Sequence, residues 1–280
     1  FESTFRSAIK EVYTHVRIEF SSVLVVTDLS KSEALEFSNS IKTFATVIGI
    51  DSRVNWDILY AEDFTTTQDL LNCVSSSEPD LIFSYRNLHS KAWNYPHSLG
   101  EHLDVLVQKT DSPIVILPNP RSGFAHKDTL INTDVVMAMT DHLLADDRLV
   151  NYAARLVEDN GTLWLVHIED TDIFNKYMSV ISKIIEIDTD GATEKIRHRL
   201  LKEPRDYIDK VSQVLGEKKP GIQLKSIVSF GHSLSEFCKY IDEHKVDLLV
   251  MNSRDDQQMA MHGLAYPLAV ELRQTPLLLL

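Results

Sequence analysis

Two stretches of this chain share one layout. GEHLDVLVQKTDSPIVIL (residues 100–117) and GLAYPLAVELRQTPLLLL (263–280) each open on glycine and continue as a short amphipathic helix. Each then breaks at a polar turn and sets proline directly before an apolar strand. Gly100 aligns with Gly263, and Pro113 with Pro276, without a gap. Further upstream, EPDLIFSYR (78–86) matches KVDLLVMNSR (245–254), and SVLVVTDLS (22–30) matches DVVMAMTDH (134–142). A repeat of this extent limits the fold more than any other feature does. Both copies must be the same kind of supersecondary unit, each burying the same face.

Apolar runs and helical periodicity give that unit its form. In the second copy, strands are expected at 135–140, 162–168, 222–229, 247–251 and 276–280. Helices are expected at 144–158, 233–244 and 263–273, with a long helical stretch within 173–215 broken near Asp190-Gly191 and Pro204. The first copy is shorter, with helix 31–48, strand 53–60, helix 66–76 and strand 80–84, and it lacks one strand and one long helix of the second. Strands alternating with helices imply right-handed βαβ crossovers and a parallel, doubly wound sheet. The strands are nearly continuous Val, Ile and Leu, as a sheet covered on both faces requires.

The organisation that follows is an amphipathic helix at 1–20, an abbreviated domain at 21–118, a Pro- and Gly-containing linker at 119–132, and a complete domain at 133–280. Phe1, Phe5, Ile9, Val12 and Val16 would form the apolar stripe of the first helix. The apolar segments PIVIL and PLLLL need covering if they lie at sheet edges.

Net charge of −13 argues against nucleic acid as the main partner, since phosphate binding needs clustered Lys and Arg. No apolar run approaches the roughly 20 residues of a membrane span, and no stretch reads as a signal peptide. The two cysteines, Cys73 and Cys238, lie in apolar helical patterns and read as buried free thiols of a reducing, cytoplasmic setting.

The ordered set resembles the universal stress protein family: a strand ending in Asp141, the strand LVHIED (165–170), the strand DLLVM (247–251), a loop, a Gly-led helix and a Pro-led last strand. The resemblance implies two flavodoxin-like α/β sheets in tandem, and, since the last strand in that family pairs across an interface, it sets strand 114–117 beside strand 276–280 as an internal pseudo-dimer that covers both apolar edges. It also implies where a nucleotide would sit in the second copy. Met139, Thr140 and Asp141 take the first-strand positions, with Asp141 accepting a hydrogen bond from the nucleotide. Ile168 would pack or hydrogen-bond through its backbone near adenine, Met251 and Asn252 would begin the phosphate loop, and Gly263 would open the last helix.

The family's phosphate loop has the form G-x2-G-x9-G-[ST], and this chain departs from it. Asn252 stands at the first glycine, a position near Asp255 at the second, and Leu264 at the [ST] position. Asp255 and Asp256 would repel a triphosphate. Arg254 and the start of the last helix still favour an anion. In the first copy, Ser84, Tyr85, Arg86, Asn87 and Leu88 begin the loop with no glycine before Gly100, and Glu101 replaces the [ST] residue.

Other constellations carry less. His167 and Glu169 share a strand face, which supplies two ligands and not the three or four of a zinc site. His97 and His102 read as solvated loop and helix residues, Ser233 as the N-cap beside His232, and the acidic residues of HLLADDRLV (142–150) as helix-start charges. No G-x-S-x-G, P-loop or C-x-x-C occurs.

The leading expectation is a non-catalytic, cytoplasmic binding or regulatory protein without a cofactor or metal. It would work through self-association, as a homodimer for example, and through a protein partner. The alternative is a sensor of AMP, ATP or another small anion in the second copy, using Asp141, Ile168, Arg254 and Gly263. A third reading makes the chain the soluble tail of a cation/proton antiporter. The start at Phe1 and the amphipathic residues 1–19 motivate it.

Overall fold

A computed structural model describes residues 13–49, 54–92, 98–122, 130–140, 146–183, 189–253 and 264–280. The first half contributes β1 (Ser22–Val26), α1 (Lys31–Phe44), the short α2 (Thr46–Gly49), β2 (Asn55–Leu59), α3 (Thr67–Ser77), β3 (Leu81–Tyr85), α4 (Glu101–Lys109) and β4 (Ile114–Leu117). The second contributes β5 (Val135–Thr140), α5 (Asp147–Leu156), β6 (Thr162–Asp170), α6 (Thr171–Ile181), α7 (Thr189–Lys218), β7 (Gln223–Gly231), α8 (Ser233–Glu243), β8 (Leu248–Met251), α9 (Ala265–Glu271) and β9 (Leu277–Leu279).

The strands form one nine-stranded sheet in the order β2-β1-β3-β4-β9-β8-β5-β6-β7. Every neighbouring pair is parallel except β4 and β9, which run antiparallel with Val115 opposite Leu278. The expected pairing of strands 114–117 and 276–280 is present, and it fuses the two parallel sheets into one. The first half lacks counterparts of β7 and of the two helices before it, α6 and α7. β3, β4, β8 and β9 are buried along their whole length, whereas β2 and β7 at the sheet edges are partly exposed.

Right-handed crossovers place α1, α2, α5 and α7 on one face and α3, α4, α8 and α9 on the other. The packing agrees: α2 meets α5, α3 meets α4, and α8 meets α9. Among the described residues no helix is long and apolar enough to cross a membrane.

Two expectations need correction. Residues 13–20 are not helical, and residues 1–12 lie outside the described residues. YTHVRIEF runs over α5, whose side chains take up its backbone groups. Asp147 accepts from the Thr14 N–H at 2.9 Å, and Arg155 Nε donates to the Ile18 carbonyl at 3.0 Å. Tyr13 is buried and its hydroxyl donates to Asn151 Oδ1 at 2.7 Å, while Val16 is exposed. Contacts from a distant helix replace the i→i−4 ladder here.

The second correction concerns α7: the long stretch divides ahead of Asp190-Gly191 as expected, α6 ending at Ile181 and α7 starting at Thr189, but α7 passes unbroken through Pro204. An interior proline costs about 3 kcal/mol. Just beyond it, Tyr207, Ile208, Val211 and Leu215 are all buried, and burying each side chain is worth roughly 2 kcal/mol. The buried face outweighs the proline.

One repeated device starts the first strand of each half. Asp80 Oδ2 accepts from the Ser21 and Ser22 N–H groups at 2.6 and 3.0 Å. Its counterpart Asp247 accepts from the Val135 N–H at 2.8 Å. Burial, then the nearby Asp134 and Glu158 carboxylates, push Asp247 up to about 6 despite that bond. The folded chain thus holds this proton more tightly than the unfolded chain, so stability falls as pH rises from about 4 to about 6. Asp247→Asn keeps an acceptor for Val135 and removes the charge. It should stabilise the protein at pH 7 by about 1 kcal/mol, discounted for the group's partial exposure, with the gain vanishing below about pH 4. Urea midpoints at both pH values check this.

Candidate functional site

In a doubly wound sheet, ligands bind outside the carboxyl ends of the strands where the strand order reverses. The first half reverses between β1 and β3, the second between β5 and β8. Because β4 and β9 are antiparallel, the two crevices open at opposite ends of the sheet.

The first crevice is filled by the chain itself. Asp28, just past β1, is buried. Its Oδ1 accepts from the Tyr85 hydroxyl, and its Oδ2 accepts from the His89 N–H at 2.9 Å and from Arg121 Nη1 at 2.6 Å. Arg121 Nη2 also donates to the Asp28 carbonyl at 2.8 Å. Burial alone would raise the Asp28 carboxyl, but the bonds from Tyr85, Arg121 and His89, with the charge of Arg121, hold it below the ordinary range. Burial and the neighbouring carboxylate push the Tyr85 phenol up, so it stays protonated and donates.

The loop after β3 makes its turns without glycine. Asn87 and His89 adopt φ of 61° and 53°, and the Asn87 N–H donates to the Leu99 carbonyl at 2.7 Å. Asparagine and histidine tolerate this region better than most residues do. Leu88 is buried. Arg86 turns away from the crevice and donates from Nη2 to the Leu272 carbonyl, at the end of α9 in the other half. A cation suits a helix C-terminus. Burial, then the charge of Arg273, draw Arg86 down to about 10, so it remains charged at neutral pH.

The second crevice brings together part of the expected set. Met139 and Thr140 end β5, and Met251 ends β8 beside them, since Ala138 lies opposite Val250. On β6, Ile168 stands one step beyond His167, the partner of Thr140. Met139, Ile168 and Met251 are buried. Asp141, Arg254 and Gly263 lie outside the described residues, as do Asp255 and Asp256. Asn252 is engaged: its Nδ2 donates to Asp146 Oδ2, while Asp146 Oδ1 caps α5 by accepting from the Leu149 N–H at 3.0 Å. Burial raises the Asp146 carboxyl, and the bonds from Leu149 and Asn252 only partly offset it. Ser253 is tied to the Leu280 carbonyl through its N–H at 3.0 Å and its hydroxyl at 2.8 Å.

The remaining candidates separate. His167 is buried with Nε2 2.9 Å from Glu169 Oε1, and no group of three or more His, Cys, Asp or Glu among the described residues is placed to hold a metal. His102 is buried against Phe64 with Nε2 3.2 Å from the Thr65 carbonyl, which corrects its reading as solvated; His97 lies outside the described residues. The N-cap of α8 is His232, and Ser233 is its first helical residue. Cys73 and Cys238 are free but only partly buried. A cleft of about 610 Å³ lined by Cys238, Lys245, Asp247 and Arg273 lies at the amino ends of β8 and β9, away from both switch points.

No family model matches the chain, and no curated protein matches it. Solved structures do. A functionally unknown protein from Pseudomonas aeruginosa superposes with a TM-score of 0.55 at 11% identity, over 93% of this chain and 92% of that one. A candidate universal stress protein from Pseudomonas aeruginosa gives 0.54 at 12% identity, over 93% of each chain. Both likenesses run through the two halves and the seam between them. The chain has the flavodoxin-like α/β fold of universal stress proteins, in tandem form.

Proposed function

We propose that this chain is a non-catalytic, cytoplasmic binding protein of the universal stress type, which does not bind ATP in that family's usual way. The observation that carries this reading is the state of Asp28. At the first switch point its carboxylate is already engaged by Arg121, Tyr85 and the His89 N–H. In the second half, the residue in place of the first loop glycine, Asn252, is held by Asp146. Neither loop carries, before Gly100 or Gly263, the glycines that a triphosphate cradle uses.

The protein acts through self-association and a protein partner. The strands β4 and β9 satisfy each other within the chain, so an external contact uses the β2 or β7 edge or a helix face. On α6, Ile173, Tyr177 and Val180 are exposed at helical spacing. The second reading is an adenine-nucleotide or small-anion sensor in the C-terminal half, favoured by the convergence of Thr140, Ile168 and Met251 at neighbouring strand ends.

Calorimetric titration with ATP, ADP and AMP separates the two. The expected result is no heat with any of them. Micromolar binding that Asp141→Ala abolishes would overturn the proposal and make the second half a nucleotide sensor.

A further inference from the structure

The first crevice has the form of a receptor for one particular group. Asp28 offers a carboxylate oxygen and its own carbonyl to the two terminal nitrogens of Arg121, at 2.6 and 2.8 Å. A planar guanidinium fork fits that pair, whereas an ammonium presents no such fork. The receptor side is fixed by other parts of the fold. The Tyr85 hydroxyl stands 2.7 Å from Thr27 Oγ1 and donates to Asp28 Oδ1, and Tyr85 packs edge-on against Phe37. The His89 N–H holds Oδ2.

Exposure is unequal across the pair: the Asp28 side chain is 5% exposed and that of Arg121 is 36%. A buried acceptor and a half-solvated donor describe a group reaching into a pocket. Arg121 comes from the segment between the halves, in a turn where its N–H donates to Asn119 Oδ1 at 2.9 Å and Asn119 Nδ2 donates to the Arg86 carbonyl at 2.7 Å. The turn delivers the side chain without being part of the pocket.

We infer that the first half carries a guanidinium-binding pocket, built by Asp28, Tyr85 and the His89 N–H, with Arg121 as its tethered ligand. An arginine side chain is the class of ligand it takes. This goes beyond the absence of nucleotide binding, because it assigns the crevice a ligand of opposite charge to phosphate.

Removing the tethered group should open the pocket to a free one. Arg121→Ala should bind N-ethylguanidinium at millimolar concentration, read by NMR shifts of the Tyr85 and His89 amides and by recovery of thermal stability. The unaltered protein should bind it about twofold more weakly or worse, because a short tether supplies an effective concentration on the order of millimolar, comparable with the dissociation constant expected for the free group. Adding Asp28→Asn to Arg121→Ala should abolish binding; where that double variant does not fold, Tyr85→Phe with Arg121→Ala should weaken it. Ethylammonium, with the same charge and no fork, should bind Arg121→Ala less tightly. A folded Arg121→Ala that ignores N-ethylguanidinium, or takes ethylammonium equally well, overturns the inference. So does an Arg121→Ala that binds AMP and not the guanidinium. The ATP titration of the unaltered protein is a separate readout, so either proposal can fail alone.

Discussion

Leu278→Ala is expected to lower the stability of both halves at once, by roughly 2–5 kcal/mol. Leu278 is wholly buried in a strand of three residues. It lies opposite Val115 of the first half on one side and Val250 of the second on the other. Removing its side chain leaves a cavity where the two sheets join, and tight packing on either side limits how far that cavity collapses. Trp56 in β2 and Trp164 in β6 report on the two halves separately. Urea unfolding of two variants, each keeping one of these tryptophans alone, should give coincident curves, and Leu278→Ala should move both to lower urea by the same amount. A Trp56 curve that stays in place would mean that the first half folds without the seam.

Gly100→Ala should cost about 3 kcal/mol or more. Gly100 precedes α4 with φ of 89° and ψ of 151°, a region that side chains rarely enter. A Cβ there would stand 2.8 Å from the Asn87 Cα and 3.0 Å from its nitrogen. Those are backbone atoms of a turn already held by the Asn87–Leu99 hydrogen bond, so they have little room to give. The turn also carries His89, so the damage should reach Asp28. Far-ultraviolet melting should show the lost stability, and NMR should show a changed environment for the His89 amide. A variant as stable as the original would contradict the conformation of this loop.

The two predictions touch features of different visibility in the sequence. The glycine at 100 stood out because the repeat aligned it with Gly263. Pairing of β4 with β9 followed from the family resemblance together with two apolar strands that each needed a covered edge. The backbone of the first crevice was readable as well, since Asp28 aligned with Asp141 and the loop after β3 showed no glycine. What filled that crevice was not readable. Arg121 sits 93 positions from Asp28, in a segment whose proline and glycine marked it only as a linker. Arg86, noted as a loop residue, reaches a carbonyl 186 positions away.

The segment ahead of β1 shows the same limit from the other side. Residues 13–20 suggested a helix because a stripe of apolar residues at helical spacing ran in from residue 1. In the fold Tyr13 and Phe20 are buried and Val16, a member of that stripe, is exposed. Local pattern could not reveal the non-helical course, because the deciding bonds come from Asp147, Asn151 and Arg155 of α5.

By itself the sequence determined the repeat, the alternation of strand and helix, the direction of winding and the loss of the glycine loops. All of these rest on periodicity, turn chemistry and chain handedness, which act over a few residues or one crossover. The tertiary structure alone decided that the linker's Arg121 occupies the first crevice, that Asn252 is bound by Asp146, and that Arg86 ties the halves together. A hydrogen bond between distant residues leaves no periodic trace in either partner's neighbourhood, because its geometry exists only once the sheet has brought the two together.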